Sequence, residues 1–227
     1  MSPTLVRAEE VRSPRKRLLL MYFRTRQTGW ATMLMIVFTI AIWMLWQQES
    51  VTAMWAIPLA VVLPVVPASV IGVSSWSPFG ELERTTPASL PRLRLLHLGL
   101  LGSIGLGSIA LTTVWWKTMG IEANLLLVMA RNTLALVGIA LLVGVVLDAR
   151  LSWLAAVMIG LVAGVAIFNM SWSAQNPNEL WTDTRWIWLA HDDSDVWAMA
   201  ISLFVGSAGV VLGCVQGARD TPGDAAL

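Results

Sequence analysis

Arg131 and Asn132 stand side by side within an otherwise apolar run from about Asn124 to Leu147. A guanidinium in such a run is a candidate functional group, here for a pathway or gate, because an ion in hydrocarbon is tolerated only where protein or water encloses it. If the span begins after Arg131, the same residue is an outer-interface anchor, and the spacing admits both placements. A second group, Trp181, Trp186 and Trp188, lies in SWSAQNPNELWTDTRWIWLAHDDSD, which is too short and too polar to cross a bilayer. Its apolar residues predict an interfacial or re-entrant outer segment, and the three Trp are further pathway or gate candidates. The third group is Glu81, Glu83 and Arg84 in GELERT, bounded by Pro78 and Pro87. That stretch is long enough for a short charged helix on which a soluble partner docks, with an ordinary solvated loop as the alternative.

Other chemistry is missing from the sequence. No GxxxxGK[ST] phosphate loop, HExxH or GxSxG occurs, so neither ATP hydrolysis by that route nor a standard hydrolase site is expected, and the chain is read as no enzyme. With His97, His191 and Cys214 as the whole supply of His and Cys, no metal site and no resident cofactor are expected. HDDSD lacks the ligand spacing and glycine of an EF-hand loop. Its acidic residues instead suit the N-terminus of the helix that follows. His97 reads as an interfacial residue rather than a base, and no carboxylate or His is well placed inside the membrane for proton coupling.

The elements that must position these groups follow from composition. Of 227 residues, 56% are hydrophobic and 13% charged, against about a quarter charged in soluble domains. A net charge of +1 excludes a protein built to bind nucleic acid through its phosphates. Six apolar runs are predicted as helical spans: Gly29–Trp46, Val51–Val73, His97–Trp116, Asn124–Leu147, Leu151–Met170 and Val196–Gly217. The first is read as a retained helix rather than a signal peptide, since no small-residue cleavage site follows it. The second carries Pro58, Pro64 and Pro67, which predict a kink, either for packing or for movement. Small residues four apart, Gly99/Ser103/Gly107, Gly160/Gly164 and Gly209/Gly213/Gly217, predict close helix packing.

With the N-terminus inside, twelve Lys and Arg fall on the inner side and three (Lys117, Arg131, Arg185) on the outer, giving about +5 inside and −4 outside. The expectation is an all-α polytopic membrane protein in the cell membrane, both termini cytoplasmic, forming one transmembrane domain over 1–227. Within it, 1–28 holds an N-terminal interfacial helix, or a basic tail that only fixes topology. Residues 74–96 form the inner link and 171–195 the outer segment.

The order of these pieces, with SPFGELERTTPASLPRLRLLHL as the inner link and ARNTLALVGIALLVGVVLDARLSW across spans four and five, resembles the permease subunit of type-two ATP-binding-cassette exporters, especially the short actinobacterial ones. The likeness covers essentially the whole chain as a layout, with a very short outer link between spans three and four and no large external domain. The resemblance implies that the inner link is a coupling helix, with Glu81, Glu83 and Arg84 docking a separate ATP-binding subunit that carries ATP and Mg. It further implies a second permease subunit, identical or different, a membrane-lipid environment, and alternating access. The other function class that fits is a stand-alone six-span protein with an immunity or structural role and no ATP coupling.

Overall fold

A computed structural model describes residues 21–24, 26–46, 53–76, 90–118, 125–173, 188–191 and 194–216. Among the described residues there are seven α-helices and no strand: α1 Thr28–Trp46, α2 Ala53–Val62, α3 Val65–Ser74, α4 Leu90–Thr118, α5 Leu125–Val146, α6 Ser152–Ser173 and α7 Val196–Val215. Short 3-10 turns at Ala149–Leu151 and Trp188–Ala190 precede α6 and α7. Helices are what apolar sequence of this length must form in lipid, where each backbone N–H and C=O has to find its partner within the segment.

Among the described residues, four stretches are long and apolar enough to cross a membrane: Leu90–Val114, Leu125–Val146, Ser152–Asn169 and Val196–Val215. Two further apolar stretches, Thr28–Met44 and Pro58–Ser74, are shorter. The helices follow the predicted runs closely, with two differences. The helix α4 begins at Leu90, seven residues before His97, because Pro91 suits a first helical turn and the arginine stems of Arg92 and Arg94 can line a helix face. The second run is two helices, broken at Leu63 and Pro64.

That break has a simple cause. Pro64 has no N–H, so the Ala60 carbonyl loses its helical partner four residues on. Leu63 N still donates to Leu59 O at 2.9 Å, and α3 restarts with Ala68 N donating to Pro64 O at 3.2 Å. Pro67 then sits against α4, where a Cβ at Gly105 would lie 3.0 Å from the Pro67 Cβ.

The centre of the bundle is α5, 61% of whose apolar stretch is buried, against 28–33% for the other three long helices. Its Ala135, Leu136 and Ala140 form one core with Met35 of α1, Ala68 and Ile71 of α3, Leu101 of α4 and Ile167 of α6. Against α7 the two backbones touch. A Cβ at Gly138 would lie 2.6 Å from the Gly206 Cα, and one at Gly209 would lie 2.6 Å from the Gly138 Cα. Gly160 and Gly164 pack similarly against Val65 and Val62. Gly99 and Gly107 depart from the expectation of close packing, since a Cβ at either would meet nothing within 4 Å.

Candidate functional site

Two buried polar clusters tie the bundle together, one beside the break between α2 and α3 and one at the far end of α3. The first is built from the adjacent pair on the second turn of α5. Arg131 is 3% exposed and Asn132 fully buried. Arg131 Nη2 donates to the main-chain carbonyls of His191 at 2.8 Å and Leu189 at 3.3 Å, with that of Trp188 at 3.5 Å. Asn132 Nδ2 donates to Leu189 O at 2.7 Å and to Ala60 O at 3.4 Å, while its Oδ1 accepts from Arg131 Nε at 3.3 Å. The carbonyl orphaned by Pro64 is therefore the one that Asn132 reaches. A planar guanidinium with several N–H groups suits the carbonyls that converge at the 188–190 turn. The result is a clamp joining α2, α5 and residues 188–191.

Arg131 is thus enclosed by protein rather than facing lipid. It meets Trp188 through the main chain, while the half-buried Trp188 side chain packs on the main core. Trp181 and Trp186 lie outside the described residues, as do Glu81, Glu83 and Arg84.

Just beyond the clamp, Asp195 caps α7, accepting from Trp197 N at 2.8 Å and Ala198 N at 3.1 Å. Its other oxygen pairs with His191 Nδ1. The His191 hydrogen bond, followed by that from the Ala198 amide, holds the Asp195 carboxyl below the usual carboxylate range. This is the cap expected from HDDSD, with His191 as an added partner.

The second cluster lies at the opposite end of α3. His97 of α4 is 1% exposed, so it is a buried packing residue and not the interfacial one its position implied. Its Nδ1 lies 3.2 Å from Thr28 Oγ1 and its Nε2 lies 3.3 Å from Ser74 Oγ. Ser74 donates its hydroxyl hydrogen to Ile71 O at 2.9 Å. It must therefore accept from His97 Nε2–H, which makes Nδ1 the acceptor for Thr28. Arg26 Nη1 donates to Ser75 O at 2.6 Å, and Arg94 Nη1 to Cys214 O at 3.3 Å. Both acceptors stand at helix C-termini, of α3 and α7, where the last carbonyls lack helical donors and the dipole favours a cation. Tyr22, Arg26, Ser75, Arg94 and His97 enclose a cavity of about 10 Å³, room for one water. At the same end the Arg150 guanidinium lies 5.9 Å from the Trp76 ring centroid, joining the α5–α6 turn to the end of α3.

Arg26 and Arg94 enter the sequence reading only as inner-side charges that set orientation, whereas they are 4% and 8% exposed. The available signal was their position beside apolar helix ends. Among the described residues no group of three His, Cys, Asp or Glu could hold a metal ion. Comparison with protein-family models, with curated proteins and with solved structures finds no match to this chain.

Proposed function

We propose that the chain is the membrane-spanning permease subunit of an ATP-driven exporter, forming the translocation pathway with a second permease subunit and coupling to a separate ATPase. The observation that carries this reading is the broken second span, held on both sides of its break. On one side of the break, Asn132 grips the Ala60 carbonyl. At the other end of α3, Arg26 grips Ser75 O and His97 meets Ser74. The joint at Leu63 and Pro64 lies between these fixed points, so α3 can tilt against α2 without unravelling either helix.

The chain runs directly from the end of α3 into the segment carrying Glu81, Glu83 and Arg84. A push on that segment from an ATPase closing on ATP and Mg would reach α3 first, then the joint, then the Arg131–Asn132 clamp on the outer segment. In this reading all six apolar runs span the cell membrane with both termini cytoplasmic, Arg131 serves as a gate latch, and Trp181, Trp186 and Trp188 belong to the outer lid. The exporter class rests on the sequence layout. The hinge and its two clamps are what a moving span would need.

Reversing the charges at Glu83 and Arg84 together is expected to leave the protein in the membrane while abolishing co-purification of its ATPase. Retained co-purification would sink the docking role. The adjacent reading frames supply a second check, since the stand-alone reading gains if none encodes a phosphate-loop ATPase.

A further inference from the structure

The elbow before α1 carries an exposed arginine, Arg24. Residues 21–24 are helical and Thr28 begins α1, and between them Gln27 turns the chain with φ of 51°, a left-handed conformation that is strained for a non-glycine residue. The turn is held from within. Arg26 donates to Ser75 O at 2.6 Å and lies over the Tyr22 ring at 4.8 Å, and Phe23 stacks at 6.0 Å from the His97 ring. Backbone held in a strained form is an observation from which function can be asked.

Arg24 is exposed, and its guanidinium makes no hydrogen bond or ion pair with the described residues, whereas Arg26, Arg94 and Arg131 all serve main-chain carbonyls. Arg24 lines a groove of about 580 Å³ with Phe23, Gln27, Gly29 and Trp30. A Cβ at Gly29 would touch nothing within 4 Å, so the groove wall is open there. Trp30 is 66% exposed, and from it Met33, Leu34, Val37 and Ile40, each half or more exposed, continue along α1. Their spacing of three and four residues makes one apolar track leading away from the groove.

We propose that this groove binds the headgroup of an anionic phospholipid. Arg24 would take the phosphate oxygens in its planar fork, Gln27 would serve the ester or hydroxyl oxygens, and Trp30 would sit at the headgroup level. One acyl chain would lie along the α1 track. The charge selects an anionic ligand, and the adjoining apolar track selects a lipid over a free anion. The site depends on membrane embedding and is independent of ATP coupling.

The test is lipid binding to delipidated full-length protein in neutral detergent, read by native mass spectrometry. Phosphatidylglycerol is expected to bind at least about tenfold more tightly than phosphatidylcholine. Arg24→Gln should lose about tenfold for phosphatidylglycerol and little for phosphatidylcholine. Arg92→Gln, an exposed arginine outside the groove, should change neither beyond about twofold. Inorganic phosphate at the same concentration should not displace the lipid. Equal losses in the two variants would reduce the effect to general surface charge and overturn the site. So would unchanged binding in a helical, monodisperse Arg24→Gln protein, or displacement by phosphate alone.

Discussion

At the level of single residues, the buried cations of this bundle serve main-chain carbonyls at breaks and ends of helices. Arg131 and Asn132 act as a unit, so truncating either strands acceptors that the other cannot serve. Asn132→Ala should destabilise the purified protein by about 1–3 kcal/mol, because Ala60 O and Leu189 O lose a donor in a dry site. Arg131→Lys should cost a similar amount, since one ammonium cannot reach both Asn132 and the carbonyls of 188–191. Thermal melts of the two single variants and the double variant should give a coupling energy of about 0.5–3 kcal/mol. Strict additivity would remove the clamp.

Asp195 offers a pH test. Its folded pKa is depressed, so its contribution is fully present above the unfolded carboxylate value near pH 4 and is lost as pH falls through the folded value. The melting temperature should therefore drop on acidification below about pH 4. Asp195→Asn, which can still cap α7 but does not titrate, should flatten that drop. An unchanged acid limb in the variant would assign it to other groups. Part of this scale was readable in advance. Asp195 was, because an N-cap needs only its own neighbours. Arg131 was flagged by its charge, but its partners lie some sixty residues away in sequence, and no local spacing encodes them.

At the level of elements, Pro64 explains both the break in the second span and the acceptor that Asn132 meets. Restoring a donor with Pro64→Ala should let helix continue through Leu63 and compete with Asn132 for Ala60 O. On the permease reading, insertion and abundance should persist while transport falls by at least about tenfold, as expected for a hinge. Full transport by this variant would leave the break as a packing feature.

The α5–α7 contact predicts sharper intolerance. Gly138→Val should cost about 3 kcal/mol or prevent folding, since the added atoms would enter the backbone around Val205 and Gly206. Gly107→Ala, facing open space, should change the stability of the isolated chain by less than about 0.5 kcal/mol. The helical runs themselves were legible, because apolar length between charges is a direct readout of what lipid permits. Which small residues meet was not. The four-residue stripes of Gly99, Ser103 and Gly107 and of Gly209 and Gly213 look alike in sequence, yet the first faces outward. The backbone contact between α5 and α7 pairs Gly209 of the second stripe with Gly138, and Gly138 and Gly206, which also meet there, belong to no such stripe.

For the whole molecule, the bundle is a central α5 gripped by its neighbours, with a jointed α2–α3 pair pinned beside its break and at the end of α3. On the permease reading, the Arg131–Asn132 clamp and the inner link stand at the two ends of one bendable path. The central claim of the permease reading is that an ATPase pushes on that path. Affinity purification of the full chain from its native membrane in mild detergent, with ATP hydrolysis assayed on the purified material, addresses it most directly. The account predicts a phosphate-loop ATPase at equal stoichiometry with this chain and Mg-dependent hydrolysis that chelation abolishes. A chain that purifies alone, with no hydrolysis above background, would contradict it.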